Sequence, residues 1–529
     1  MRGRESHWIP VLENKASLSL EEKQLKGTDS VYAAMQSVGE KIANELLNDF
    51  QELKPIPENL SVLALVGKGK NGGDCLLTCD HLMRTLPRAK VVVFLFSAIE
   101  QLHPLTQKAL QELEGRVRLY TLGEIEEAAH ILSKLDSIVV KSGSIHLCLD
   151  GVYGLGFKPP LSASMRQVFE GINTYNKIEM RASIDIPSGL YGVKAESECY
   201  FRANFSYMAG TAKSIFFQEH CDAGRIRFID IGLYDGYSLD ENSNTFYLSD
   251  SYLHKLAKLR ASKVDKRSFG HVFILGGSRW MPGALLMTVQ AAIRSGSGLV
   301  TVFAPRSIVP ALCGQAPEAM WIPLPESNAG LISQEAGDLI LSQIRYASSL
   351  VVGPGLGKSR EIERVLQQLI GGSKVPIVLD ADALVPRVLE SVQKRNSDKS
   401  RSIIITPHMG EFLHVTKLSS VDLSANKVLS LVKNMGVTMV LKGPITRICN
   451  EEHLIYSTRG GPVLSRGGSG DLLAGIIGVQ LAQEGADALS AATLGVLIHG
   501  KAAELLARTS GQVFVRTTDV LDFLPKVIR

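Results

Sequence analysis

The stretch Leu63–Leu77, LALVGKGKNGGDCLL, runs from an apolar segment straight into Gly67, Gly69 and Gly72. That spacing is G-x-G-x-x-G, a pattern in which glycines let the backbone turn tightly and approach a pyrophosphate at the start of a helix. A dinucleotide-dependent dehydrogenase also needs an acidic residue about 20 positions farther on to hold a ribose. Asp80 comes too early for that role and Glu100 too late. The stretch therefore predicts a strand, a phosphate-approaching turn and a helix, and argues against a hydride-transfer cofactor.

Upstream, YAAMQSVGEKIANELL places Met35, Ile42, Ala43, Leu46 and Leu47 on one apolar stripe and predicts a helix within Gln24–Phe50. Downstream, KVVVFLF, SIVV, IHLCLDGVYG and IEMRASIDIPSGL read as short buried strands. The helical segments LTQKALQELEG and IEEAAHILSKL alternate with them. Such alternation predicts an α/β fold with a mostly parallel sheet covered on both faces. The same logic recurs after FGHVFILGGSR, through LVTVFA, SLVVGPGLG, VPIVLDADAL, SIIITPHMGE and VTMVLKG. The two halves share no motif order, so two unrelated domains are expected: 1–235, a linker 236–254, and 255–529.

Of the 529 residues 45% are hydrophobic and 21% charged, the balance of a packed globular chain. Lys plus Arg number 57 against 53 Asp plus Glu, a formal +4 with no dense basic run, so nucleic acid is not an expected partner. The seven cysteines are scattered without a zinc spacing, which points to a reducing compartment. No uninterrupted apolar run reaches the roughly 18–20 residues that span a bilayer, and the start MRGRESHWIP lacks a secretion segment. A cytoplasmic protein without a membrane partner is expected, and a homo-oligomer.

The most informative segment of the second half is RGGSGDLLAGIIG, Arg466–Gly478. Its glycines can turn successive N–H groups towards phosphate oxygens while the following helix points its positive end at them. Asp471, at that helix start, is either a cap or a proton-transfer group. Lys442 in LKGPIT is either a nucleotide contact or a solvated strand end. Asp380 and Asp382 either bind a cation or brace loops. His408 is a substrate-contact candidate, and Glu411 an ion-site acid or a brace.

The set GHVFILGGSRWMPGA, AAIRSGSGLVTVFAP, APEAM, VVGPGLG, LDADAL, TPHMGE, LKG and RGGSGDLLAG resembles the carboxy-terminal domain of bifunctional NAD(P)H-hydrate repair enzymes. The resemblance implies a ribokinase-like fold that dehydrates the S form of NADHX or NADPHX, with ADP as phosphoryl donor and magnesium as its charge partner. On these positions Ala284, Gly357 and His408 would line the hydrated nicotinamide. Lys442, Gly443, Pro444, Ile445 and Thr446, with Gly467, Gly468, Ser469 and Gly470, would hold ADP. Asp471 would contact substrate as the acid-base residue. Pro282 and Arg466 stand where that family usually has Thr.

AAMQSVG, GKGKNGGDCLL, LDGVYGLGF and SIDIPSGL likewise resemble the amino-terminal epimerase domain of the same enzymes. That resemblance implies a Rossmann-like fold interconverting the R and S hydrates. Lys70, Asn71, Gly72, Gly73 and Asp74 would form one substrate loop, and Gly154, Leu155, Gly156, Phe157, Lys158, Pro159 and Pro160 another. Asn71, Asp150 and Ser188 would bind a potassium ion, and Asp185 would be the acid-base residue, although from spacing alone a loop brace is an equal reading. Lys70 and Cys75 replace the family's usual Asn and Gly, Gln36 a common Glu, and Asn204 and Ser206 the usual Asp and Thr. A ribokinase-like small-molecule kinase and a non-catalytic nucleotide sensor are the competing expectations.

Overall fold

Strand Ser61–Val66 is buried at every position, which is why it reads as a continuous apolar run instead of an alternating one. The structure to which it belongs, a computed structural model, describes residues 7–122, 128–191, 199–219, 221–235, 243–395, 402–418 and 424–528. The chain divides into two units, Ile9–Glu241 and Met1–Trp8 with Asn242–Arg529.

In the first unit seven strands lie in the order Arg118–Thr121, Lys90–Leu95, Ser61–Val66, Ile145–Gly151, Ile178–Ile184, Phe205–Ala209, Arg225–Ile229, all parallel. The chain steps from Ser61–Val66 to one edge, then returns to its other side at Ile145–Gly151. Connections on the two sides of this reversal leave in opposite directions, and a crevice opens beyond the carboxyl ends of the two strands.

Helix Thr28–Phe50 covers one face and carries the predicted stripe, with Met35, Ile42, Ala43, Leu46 and Leu47 all buried. It is also fastened by charge. Arg227, fully buried on strand Arg225–Ile229, places Nη2 2.7 Å from Asp49 Oδ1 and Nε 2.9 Å from Oδ2, and Tyr207 donates to Oδ2 at 3.2 Å. Replacing Arg227→Ala would leave a carboxylate in the interior without its guanidinium, and is expected to cost about 3–5 kcal/mol in chemical denaturation.

One expected strand is not a strand. Ser137–Val140 (SIVV) belongs to helix Ala128–Ser142, in which Ile131, Leu135 and Ile138 are buried while Val140 is 86% exposed. Helical spacing of the apolar residues outweighs the β-propensity of a short run. Residues 125–127 of the expected helix lie outside the described residues, and strand Arg118–Thr121 was not anticipated.

The second unit repeats the plan. Its strands lie in the order Met320–Leu324, Leu299–Pro305, His271–Leu275, Ser349–Val352, Ile377–Leu379, Ile403–Ile405, Thr438–Leu441, all parallel. Thr446–Cys449 and Leu454–Ser457 then add antiparallel, and Thr245–Leu248 pairs parallel to the latter. The segment expected as a linker, 236–254, is thus partly a strand, because Phe246 and Leu248 bury their side chains in this core; residues 236–242 lie outside the described residues. The reversal of strand order falls between His271–Leu275 and Ser349–Val352. Among the described residues one helix, Ala488–Ser510, is long and apolar enough to cross a membrane, but 78% of its apolar window is buried in the protein. It packs on helix Ser469–Leu481, where Gly495 lies so close to Ile477 that a Cβ would meet its Cγ1 at 2.5 Å.

Candidate active sites

In the first unit a cavity of about 750 Å³ opens at the crevice left by the reversal. Gly67, at the end of strand Ser61–Val66, makes the crevice possible: a Cβ there would stand 2.0 Å from the Val152 carbonyl oxygen. Helix Lys70–Thr85 starts directly after it and brings Lys70, Asn71 and Asp74 to the cavity wall, with its positive end towards the space. Gly72 and Gly73 lie beneath this wall, packed against Gly67 and Met35. Gly154, Leu155, Gly156 and Phe157 line the cavity, whereas Lys158, Pro159 and Pro160 lie beyond it.

Asp185 follows strand Ile178–Ile184 and enters the cavity from the sheet side. Its φ of 65° is left-handed, a conformation that costs a non-glycine residue about 1–3 kcal/mol and is held only by surrounding structure. That structure is Lys213. Its ammonium, on a side chain 1% exposed, sits 2.7 Å from Asp185 Oδ1 and donates to the Ala209 carbonyl at 2.6 Å. The Ala209 N–H also donates to Oδ1 at 3.3 Å. Asp74 is pushed well above the usual carboxylate range by burial and by Asp185 and Glu21, against the pull of Lys70 and Lys213.

Behind this wall Asp150 is fully buried. It accepts from Ser188 N at 2.7 Å, Ser188 Oγ at 2.6 Å and Val152 N at 3.3 Å. Burial raises it to about 6 even though these bonds favour the charged form. Asn71 donates to the Tyr153 carbonyl at 2.8 Å and leaves its own Oδ1 buried without a hydrogen-bond partner among the described residues. Asn71, Asp150 and Ser188 are therefore brought together around Tyr153.

In the second unit the strand ends again converge. Lys442 Nζ lies 2.9 Å from Asp380 Oδ1 and 4.0 Å from Glu411 Oε2, and Thr406 donates to Asp380 Oδ1 at 2.7 Å. Burial by itself would lower the Lys442 ammonium, but Asp380, Glu411 and Asp471 outweigh it and hold it above its ordinary value. Asp382 accepts from the Gly357 N–H at 2.9 Å, fixing the left-handed turn of VVGPGLG, in which Gly355 lies against Ala284. His408 caps helix Met409–Thr416: its Nδ1 accepts from Gly410 N at 3.0 Å and Glu411 N at 3.3 Å, which leaves Nε2 to carry the proton. Gly443, Pro444 and Ile445 form the turn into strand Thr446–Cys449.

Gly468, in a left-handed conformation, is the N-cap of helix Ser469–Leu481, and no side chain caps it. Asp471 in the first turn makes no hydrogen bond or ion pair among the described residues, so capping does not account for it. Burial, then Asp380, push it up to about 6; Lys442 opposes, and Asp382 and Glu411 add to the rise. Gly470 brings the loop to Lys442, where an added Cβ would lie 3.1 Å from Nζ. Arg466 turns away and donates to the carbonyls of Gln512 at 2.9 Å and Val513 at 2.8 Å, bracing the loop from outside. The arrangement offers a run of glycine N–H groups, a helix N-terminus and an ammonium to phosphate oxygens, with a proton acceptor beside them.

Two family models match the chain, one described as the YjeF-related protein N-terminus over residues 31–214 and one as NAD(P)H-hydrate dehydratase over residues 272–526. A bifunctional NAD(P)H-hydrate repair enzyme of Moorella thermoacetica is 29% identical over 509 residues, covering 94% of this chain and 92% of that protein. Another, of Escherichia coli, is 27% identical and covers 89% and 86%. The chain belongs to the bifunctional NAD(P)H-hydrate repair enzyme family. Among solved structures, an ADP/ATP-dependent NAD(P)H-hydrate dehydratase of Bacillus subtilis is 25% identical, covering 53% of this chain and 97% of that one, with a TM-score of 0.44.

Three residues that sequence reasoning did not single out line or support the two candidate sites. Lys213 stands in the run YMAGTAK without any local sign that it is buried against Asp185. Glu21 reaches the first cavity from helix Asn14–Gln24, and Thr406 supports Asp380. Only the fold brings Lys213 to Asp185, Glu21 to the cavity and Thr406 to Asp380.

Proposed function

We propose that the chain repairs hydrated NADH and NADPH, the first unit interconverting the R and S hydrates and the second dehydrating the S form while ADP becomes AMP and phosphate. The observation that carries this reading is Asp471: a carboxylate without a hydrogen-bond partner among the described residues, raised to about 6, in the first turn of the helix that follows the glycine loop. Such a group is poised to take a proton near neutrality beside a site shaped for phosphates.

The hydroxyl at C6 of the hydrated ring is a poor leaving group. Asp471 takes its proton as the oxygen attacks the terminal phosphorus of the nucleotide; the O–P bond forms and the phosphoanhydride bond breaks. Lys442 and the N–H groups of Gly467, Gly468 and Gly470 balance the charge on the transferring group. The ring nitrogen then pushes its lone pair towards C6, phosphate departs, and loss of a C5 proton restores the dihydropyridine.

The residues of the first site also fit a potassium ion. Asp150 uses three of its four acceptor positions and Asn71 Oδ1 has no donor, an oxygen set suited to a hard monovalent cation; with Ser188 these would hold potassium, which would fix the loop electrostatically. Among the described residues no group of three or more His, Cys, Asp or Glu is placed to hold a metal, so magnesium would arrive on the phosphates, where it neutralises their charge.

The test is to supply S-NADHX with ADP or ATP and follow dihydronicotinamide absorbance and product masses. Recovered NADH with released phosphate is the expected result. A stable phosphorylated substrate would identify a kinase, and binding without turnover a sensor.

A further inference from the structure

The epimerase cavity holds a carboxylate that no part of this reading uses. Helix Asn14–Gln24 presents Leu18, Glu21 and Glu22 to the cavity, followed by Leu25. In the cavity lining Glu21 thus stands between Leu18 and Leu25, beside Glu22. Its side chain makes no hydrogen bond or ion pair among the described residues. A partly buried carboxylate that pairs with no group among the described residues costs stability and needs a reason to be there. The charged groups facing it are Lys213 from strand Ala212–Lys213, Asp185 from the end of strand Ile178–Ile184, Lys70 and Asp74 from helix Lys70–Thr85, and Glu22 on its own helix. Burial and the nearby acids raise it against the pull of the two lysines.

We infer that Glu21 is the second proton-transfer group of the epimerase site, acting on C6 from the helix side of the cavity while Asp185 acts from the sheet side. The inference rests on the epimerase reading above and adds to it. Inverting C6 requires water to leave one face of the ring and return to the other. One acid gives its proton to the C6 oxygen; the C–O bond breaks with its electron pair going to the departing water, and the ring nitrogen lone pair forms the C=N⁺ bond. Water adds to C6 from the other face, the C=N⁺ pair returns to nitrogen, and the excess proton goes to the second carboxylate. Nothing is oxidised or reduced. The two carboxyl groups end with exchanged protonation, which solvent or the reverse turnover resets. A single carboxylate fixed by Lys213 serves only one face, and Glu21 supplies the other. Asp74 also lines the cavity, but it stands on helix Lys70–Thr85 with the substrate loop, and Asp74→Asn tests it directly.

The experiment compares Glu21→Gln, Glu21→Asp and Asp74→Asn with the unaltered full-length chain, using separated R-NADHX and S-NADHX. Glu21→Gln is expected to lower kcat for R to S conversion by about 10²-fold or more, with little change in KM, and to remove one limb of the pH–rate profile. Glu21→Asp should recover part of the rate and an unchanged KM should report an intact first unit, while dehydration of the S hydrate by the second unit should proceed as before. In ¹⁸O-water without nucleotide, the unaltered chain should place label at C6 at the rate of epimerisation. Near-normal epimerisation by Glu21→Gln, loss of the same limb in Asp74→Asn instead, or epimerisation without ¹⁸O uptake would each overturn the inference. Should Glu21→Gln lose dehydration as well, the labelling result and Glu21→Asp decide. Absence of epimerisation in the unaltered chain would instead refute the epimerase reading itself.

Discussion

Asp471→Asn is expected to lower dehydration of S-NADHX on the order of 10³-fold, within the range for loss of a positioned general base. That corresponds to about 4 kcal/mol of transition-state stabilisation. A structural role would give a different result. The helix is capped by Gly468 and Asp471 makes no capping hydrogen bond, so a lost helix-dipole interaction would cost only about 0.3–1 kcal/mol of stability and little rate. Asparagine keeps the shape and removes the proton acceptor, so the two accounts separate cleanly. The pH dependence adds a second check. Because Asp471 must be ionised to accept the hydroxyl proton and is raised to about 6, kcat/KM for dehydration should fall as pH drops through about 6, and this limb should vanish in Asp471→Asn.

Asp185→Asn should abolish R to S conversion to a similar degree, on the order of 10³-fold, while leaving dehydration of pure S substrate near its original rate. Asparagine is the informative replacement. It retains an acceptor for Lys213 and for the Ala209 N–H, and it tolerates the left-handed backbone at this position better than most residues. Alanine would leave the Lys213 ammonium, on a side chain 1% exposed, without its carboxylate and confuse lost chemistry with lost structure. Equal loss of both activities in Asp185→Asn would contradict the assignment of one reaction to each unit.

The strands were legible because a parallel sheet covered on both faces forces continuous apolar runs, and SVLALV, KVVVFLF, IHLCLDG and LVTVFA are such runs. SIVV shows the limit of that rule: a run so short fits a buried helix turn equally well, and only Ile131, Leu135 and Ile138 in three dimensions decide for the helix. Glycine loops and strand-terminal acids were also legible, since backbone approach and carboxylate chemistry restrict which residues can serve. Helix Asn14–Gln24 was not. It buries only Ser17 and Leu20, so the sequence carries no apolar stripe to announce it, and its contribution to the cavity emerges only from packing. Lys213 was hidden for a related reason. A lysine at the end of a short run is ordinarily solvated, and nothing local reveals that Asp185 lies beside it.

The glycine stretch at Gly67–Gly72 consequently takes a different meaning from a dinucleotide cofactor turn. Gly67 permits the two strand ends to approach, Gly72 and Gly73 permit the following helix to pack close, and Asn71 and Asp74 bring polar atoms to the cavity. Under the proposed function the nicotinamide nucleotide would be the substrate held at this turn. Lys70 lines the cavity as well, where its ammonium would attract the pyrophosphate of such a substrate.

The most direct measurement is turnover of separated R-NADHX and S-NADHX by the intact chain, by Asp185→Asn and by Asp471→Asn, each with ADP and with ATP. The account predicts that the intact chain returns both hydrates to NADH, that Asp185→Asn returns only the S hydrate, and that Asp471→Asn equilibrates the hydrates without returning either. Conversion of R-NADHX to NADH by Asp185→Asn at the rate of the unaltered chain would contradict it.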